Sequence, residues 1–333
     1  MSAPTAPLRD RLRPRIELTF PGFARHDDPD WPVRAYAFEP GHCHDWYRSF
    51  AARVFDAIGT GRHFPVYRIS DGEFRFMVGP PTARRPWWTW SPRLIAMRSA
   101  EIAHGARHAH RSGAPLYGYE FYTPDEWRSL VPRYVADLRK IAEEGILAVV
   151  LHETGLVHAY VPEVLDWFDA NAVPIHADNY HHMYSVYALF HGPDRGRFLR
   201  GRRVLVVTSL TDRKRSAIER GLLDAGAETT QFVEISSEKS LLDRLDLSHV
   251  RQSVDLILIG AGVGSANCLD QLRPLGAVAI DVGFCLSTLG DPDVRFQRPY
   301  CVPDEDFDPE RMQFEWKAGP VRLVRARLQR LSR

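Results

Sequence analysis

Val254-Asp255-Leu256-Ile257-Leu258-Ile259-Gly260-Ala261-Gly262-Val263-Gly264-Ser265-Ala266 reads as a buried strand, a glycine turn and the opening of a helix. A short continuous apolar run bounded by glycine marks a strand covered on both faces, the normal state of a parallel sheet. Working outward, comparable runs lie at 64–69, 114–118, 146–151, 172–176, 203–208, 229–235 and 277–281. Helical patterns separate them. Trp46, Phe50, Val54 and Ile58 recur at helical spacing before Gly59-Thr60-Gly61. Thr123-Pro124-Asp125-Glu126 is a capping box with proline at the first helical position, opening a helix that runs to about Glu144. Strands alternating with helices predict an α/β, Rossmann-like fold, a mainly parallel sheet with helices on both faces.

Three segments are expected. Residues 1–43, rich in proline, arginine and aspartate, read as an irregular N-terminal arm wrapping the body. Residues 44–290 carry the regular pattern without a linker, as one domain. Residues 291–333 form a C-terminal extension, in which Val321, Val324, Leu328 and Leu331 alternate with Arg322, Arg325, Arg327 and Arg330. That is a basic amphipathic helix, read as packing on the body, with peripheral contact to an anionic membrane as the alternative.

Composition excludes several classes. A net charge of +1 gives no pull toward nucleic acid. Only four of the 43 basic residues are lysine, so a local arginine cluster carries little meaning. Cys43, Cys268, Cys285 and Cys301 form no CxxC, which argues against a disulfide scaffold and a cysteine zinc site. No apolar run reaches the ~18 residues of a membrane span, and the N-terminus lacks a signal-like apolar core. A cytoplasmic protein is expected.

In parallel sheets, ligands bind beyond the carboxyl ends of the strands, where crossovers diverge. The run 64–69 leads directly into Ser70-Asp71-Gly72-Glu73. Two carboxylates flanking a glycine form a compact oxygen site for a hard divalent cation. Their structural alternative is a tight turn whose acids cap the next helix. Glu153, Asp178, Ser209, Asp212, Gly262, Gly264 and Asp281 also follow strand-like runs, so one rim is expected to gather them. The turn Gly260-Ala-Gly262-Val-Gly264 suits a phosphate at a helix start, and Asp281 falls at the spacing of the ribose-binding acid of a dinucleotide site. Against a dinucleotide, Ser265 replaces the third glycine, and too little chain follows Asp281 for the rest of such a domain.

Val66-Tyr-Arg-Ile-Ser-Asp-Gly-Glu-Phe74 resembles the R-(F/I)-G-D-G-E-F element of the GT-D-type glycosyltransferases. Asp255–Gly262 followed by Ala279-Ile-Asp-Val-Gly283 is similar to that family's late strand, glycine turn and I-D-I-G run, in the same order along the chain. The resemblance covers roughly residues 44–290. It implies one Rossmann-like domain that transfers a hexose from a nucleotide-diphosphate sugar, most simply a UDP-hexose, to a glycan or glycoconjugate acceptor. It further implies that Asp71 and Glu73 engage Mn²⁺ or Mg²⁺ and the donor diphosphate. Arg68, Gly260, Gly262 and Gly264 join them as donor-binding residues. Two positions depart from the pattern: Ser70 stands where glycine is usual, and Phe284 where histidine is expected.

An acceptor hydroxyl needs a base if configuration inverts. Asp281 is the first candidate and Asp178 the second. Trp87, Trp88 and Trp90 read either as a sugar-stacking platform or as a staple for their loop. His104, His108 and His110, with His176, His181 and His182, show metal-like spacing that exposed helix faces and cleft walls also produce. Ser209-Leu-Thr-Asp212-Arg213-Lys214-Arg215 reads as an anion site or a solvated first turn. Two rivals stand beside the transferase: an NAD- or S-adenosylmethionine-dependent enzyme built on Gly260–Gly264 and Asp281, and a non-catalytic nucleotide-binding protein.

Overall fold

The computed structural model describes residues 6–18, 33–79, 95, 99, 121–152, 160–192, 194–250, 253–283, 285–289, 296–297 and 313–314. The strand expected at 114–118, Glu153, the tryptophans of 87–90, His104, His108, His110, Phe284 and the helix expected at 321–333 lie outside these residues.

The chain opens with α1 (Leu8–Arg11), β1 (Arg13–Leu18), β2 (Val33–Ala37) and β3 (Gly41–His42). These strands form a small sheet of order β2-β1-β3, so the described residues of the N-terminal arm hold regular structure where an irregular arm was expected. Pro14 hid it from a pattern reading: proline cannot donate to a ladder, and the register between β1 and β2 slips between Pro14 and Ile16. The arm is docked. Leu8 and Leu12 are buried, the Leu8 amide donates to Asp169 Oδ2, and the Tyr36 amide donates to the Leu151 carbonyl.

The body continues with α2 (Cys43–Thr60), β4 (Phe64–Ile69), α3 (Asp71–Val78), α4 (Pro124–Glu144), β5 (Ile146–Val149), α5 (Val161–Ala170), β6 (Tyr180–His181), α6 (Tyr184–His191) and α7 (Arg195–Leu199). Then come β7 (Arg203–Thr208), α8 (Asp212–Asp224), β8 (Thr229–Glu234), β9 (Leu256–Gly260), a 3₁₀ turn over Gly262–Gly264, α9 (Ser265–Leu272), β10 (Val278–Asp281) and α10 (Cys285–Leu289). Short strands β11 (Phe296–Gln297) and β12 (Gln313–Phe314) pair with each other.

The main sheet has seven strands in the order β6-β5-β4-β10-β9-β7-β8, all parallel. Phe64–Ile69, Ile146–Val149 and Leu256–Ile259 are wholly buried, which is why they read as unbroken apolar runs. The run at 172–176 is not a strand. Asn171 and Ala172 form a turn, and the edge strand β6 starts only at Tyr180.

Helix α2 ends where Gly61 adopts φ +62, a left-handed cap that glycine takes without penalty. In α4, the Glu126 carboxylate accepts the Thr123 amide and the Glu126 amide donates to Thr123 Oγ1, so the capping box forms as read. Leu130, Tyr134, Leu138 and Ile141 make its buried stripe. Burial of each such side chain is worth about 1.5–3 kcal/mol.

Right-handed crossovers sort the helices into two layers. Helix α4 packs on α9 and α3 on α5, while α2 packs on α6, α6 on α7 and α8 on α10. The chain therefore leaves β4 and β9 into one layer and leaves β10, between them, into the other. That divergence opens a crevice over the carboxyl ends of β4, β10 and β9.

Candidate functional site

Three adjacent strand ends meet at this crevice. Ser70–Glu73 follows β4, Asp281–Gly283 closes β10, and Gly260–Gly264 follows β9, with α3 packed directly on the 3₁₀ turn of the glycine segment. Ile280 pairs with Val66 and Asp281 with Ile259, so the register itself aligns the three.

The two acids of the Asp-Gly-Glu element diverge. Glu73 is only 3% exposed and turns back on its own helix start, its Oε2 accepting the Ser70 amide at 2.9 Å and the Ser70 hydroxyl at 3.0 Å. It acts as the N-terminal lock of α3, so the turn-and-cap reading holds for this residue. Asp71 is half-exposed, with Oδ2 at 3.8 Å from a guanidinium nitrogen of the buried Arg75. Asp71 is thus the motif's outward-facing carboxylate. Among the described residues no group of three or more His, Cys, Asp or Glu could hold a metal ion. A hard cation here would meet one outward carboxylate of this motif, Asp71, on the protein side.

Arg68, on β4, lies beneath the crevice at 7% exposure and donates from Nη1 to the Tyr187 hydroxyl of α6 at 2.5 Å. Burial opposes its charge, but Tyr187 and the carboxylates of Asp281 and Glu73 outweigh that and raise its pKa. Gly283 is part of the arrangement. It sits at φ +53, and a Cβ there would lie 1.9 Å from Nη2 of Arg68. Gly283→Ala is expected to cost about 2 kcal/mol or more, from backbone strain and the clash with Arg68, measured by urea unfolding.

Asp281 has no exposed surface. Its Oδ1 accepts the Gly283 amide at 3.1 Å, while Oδ2 has no hydrogen-bond partner among the described residues. Burial pushes this carboxyl up to about 7, Arg68 opposes the rise, and Glu73 adds to it. The Ser265 hydroxyl, first residue of α9, lies beside the carboxyl and also lowers it, though no hydrogen bond of ordinary geometry joins the two.

The glycine turn is mostly filled by the protein itself. A Cβ on Gly264 would strike Ser240, whose hydroxyl donates to the Ala261 carbonyl, and one on Gly260 would strike Leu286. Only Gly262, at φ +54 and facing open space, keeps the shape of a phosphate cradle. A dinucleotide pyrophosphate laid along Gly260–Gly264 would meet Ser240.

Asp178 lies elsewhere. It precedes β6, so it sits at the amino end of the sheet, 92% exposed and 3.7 Å from His176. The expectation that it lines the crevice fails because the strand was placed at 172–176, one loop too early. Asp212 opens α8 on the exposed surface beyond β7.

Pattern reading named His181 and His182 for their metal-like spacing but passed over His152, Tyr184 and Tyr187 beside them. His152 and His182 stack at 4.7 Å with rings 4° from parallel. Tyr184 contacts both rings and also Tyr187. Burial, then neighbouring Arg53, pushes His181 down to about 3. Burial, then His152, lowers His182 as well. His181 and His182 are neutral packing groups at neutral pH, a role that histidine spacing cannot separate from ligation.

No family model and no curated protein matches the sequence. Two solved structures are similar to it. The selenomethionine-substituted structure of domain of unknown function 1792 is 14% identical, covers 79% of this chain and 95% of its own, and has a TM-score of 0.39. A second structure of that domain, described as having a distinct glycosyltransferase fold, is 13% identical at the same coverage, with a TM-score of 0.35.

Proposed function

We propose that the protein is a glycosyltransferase that takes a hexose from a nucleotide-diphosphate donor, most simply a UDP-hexose, and passes it to a glycan or glycoconjugate acceptor. The observation that carries this reading is the meeting of the Asp71–Glu73 turn, Gly262 and Asp281 on three neighbouring strand ends. These are the elements in which the sequence resembles GT-D-type enzymes, and they lie far apart along the chain. Departure of the nucleoside diphosphate builds charge on phosphate oxygens. A bound Mn²⁺ or Mg²⁺ offsets that charge as a Lewis acid. Asp71 would hold the ion from the protein side, Glu73 fixes the helix start that aims Asp71, and Gly262 leaves room for the phosphates.

The base role first assigned to Asp281 suits its surroundings poorly. A base must meet an acceptor arriving from solvent, whereas Asp281 is enclosed, engaged by the Gly283 amide and set against Arg68.

Asp71→Ala is expected to cut UDP release from a UDP-hexose by about 100-fold or more, the scale of losing one preorganised charge-stabilising group. Its half-exposed position leaves the melting temperature unchanged. Nucleotide-release assays with Mn²⁺ and with excess chelator, beside thermal shifts on a nucleotide-sugar panel, check both parts. Full turnover in chelator would remove the metal. Stabilisation by NAD or S-adenosylmethionine instead of UDP-sugars would favour the Rossmann-enzyme rival.

A further inference from the structure

The glycine turn is held by its carbonyls. The Ser240 hydroxyl donates to the Ala261 carbonyl at 3.0 Å, and the Gly264 amide shares that acceptor at 3.1 Å. From β4, the buried Tyr67 hydroxyl donates to the Val263 carbonyl at 3.4 Å. A carbonyl only accepts, so Tyr67 is the donor there, and the Tyr134 hydroxyl of α4, 3.1 Å away, donates to Tyr67 in turn. Between these anchors the Gly262 carbonyl accepts the Ser265 amide. In a planar trans peptide the carbonyl and the following N–H point opposite ways. Fixing the Ala261 carbonyl on Ser240 therefore turns the Gly262 amide away from Ser240, and fixing the Gly262 carbonyl on Ser265 turns the Val263 amide away from α9. Neither amide has an acceptor among the described residues. Gly262 borders open space, where an added Cβ would meet nothing within 4 Å.

We propose that Ser240 and Tyr67 are positioning residues for the donor diphosphate, holding the Ala261 and Val263 carbonyls so that the Gly262 and Val263 amides stay aimed out of the turn at a phosphate oxygen. This inference rests on the transferase reading above. The two anchors act on one loop of bonds. With its carbonyl on Tyr67, the Val263–Gly264 peptide presents the Gly264 amide to the Ala261 carbonyl, the same atom that Ser240 holds. The segment carrying Ser240 is itself clasped. Asn267 Nδ2 donates to the Ser240 carbonyl at 3.1 Å and to the Asp243 carbonyl at 3.0 Å, and the Leu241 amide donates to the Tyr122 hydroxyl at 3.2 Å. The Lys239 ammonium meets Glu126, the acid of the α4 capping box, at 2.7 Å. A Cβ on Gly264 would lie 2.1 Å from Ser240 Oγ, so glycine at 264 is what lets the hydroxyl reach the turn. Donors fixed in this way need no reorganisation when charge arrives.

The test titrates UDP and uridine, each with Mg²⁺, into the full chain as wild type and as Ser240→Ala, followed by amide NMR. In the wild type the Gly262 and Val263 amide signals are expected to shift with UDP and not with uridine. Ser240→Ala is expected to fold, because Asn267 and Tyr122 still clasp its backbone and the Ala261 carbonyl keeps the Gly264 amide. Its UDP affinity is expected to fall about 10-fold, the scale of one misaimed hydrogen bond to a charged group, while uridine affinity stays at the wild-type level. Tyr67→Phe breaks the second anchor, is expected to show the same split, and decides the matter should Ser240→Ala not fold. Unchanged UDP affinity, equal weakening of UDP and uridine, or unshifted Gly262 and Val263 amides in UDP-saturated wild type overturns the positioning role while the transferase reading stands. Failure of the wild type to bind UDP overturns the transferase reading, and the positioning role falls with it.

Discussion

Asp281→Asn is expected to abolish a fall in stability on the order of 4 kcal/mol that the wild type undergoes between about pH 4 and pH 7. The folded carboxyl titrates at about 7 against an ordinary 3.8. Below pH 4 both folded and unfolded chains are protonated here, and the group contributes no pH dependence. Between the two values the folded chain keeps its proton and the unfolded chain loses it. Stability then declines as pH rises, by up to about 1.4 kcal/mol per pH unit. Above about 7 the decline stops. Asparagine cannot titrate, so the variant should equal the wild type near pH 4 and exceed it at pH 8. His181 and His182, held neutral by burial, impose the opposite slope at low pH. They act in both proteins, so the difference between the two urea-unfolding curves isolates Asp281. Parallel curves across that range would show that the carboxyl is not held protonated.

The sheet was legible because its strands are covered on both faces. Phe64–Ile69 and Arg203–Thr208 stand where the apolar runs put them, and α4 runs from its capping box to Glu144 as its signals require. Misreadings arose where local pattern and tertiary role part. Val173 and Ile175 are buried, yet they belong to a loop held by Asn179, whose side chain bonds the His176 amide and the Ala142 and Pro174 carbonyls. A strand two residues long, such as Tyr180–His181, has no periodicity to detect. In the site, Asp71, Arg68 and Asp281 were visible as charges at strand ends. Which carboxylate faces outward was not, because Glu73 at the third helical position can either bind a ligand or fold back on Ser70, and only the backbone decides. Ser265 was read as a missing glycine. Its place beside the Asp281 carboxyl was not readable, because that residue lies on the next strand.

Arg68→Met is expected to be the most damaging single change, costing about 3–5 kcal/mol at pH 8, because it leaves Asp281 and Glu73 buried with no cation between them. Methionine keeps much of the side-chain volume, so the loss reports charge and hydrogen bonding more than a cavity. The penalty should shrink at pH 5, where Asp281 escapes by remaining protonated. The pH dependence separates this account from a purely steric one. Tyr187 loses the guanidinium that donates to its hydroxyl and covers its ring, which adds a pH-independent part. The double variant Arg68→Met with Asp281→Asn closes the argument. If the pair is held together by charge, removing both partners should restore part of what Arg68→Met loses, with a coupling of about 1 kcal/mol in a double-mutant cycle at pH 8. Additive losses would assign Arg68 instead to bracing the loop at Gly283, where the absent Cβ leaves room for its guanidinium. The crevice would then keep its shape by packing, and Asp281 would be free of the cation that opposes its neutral form.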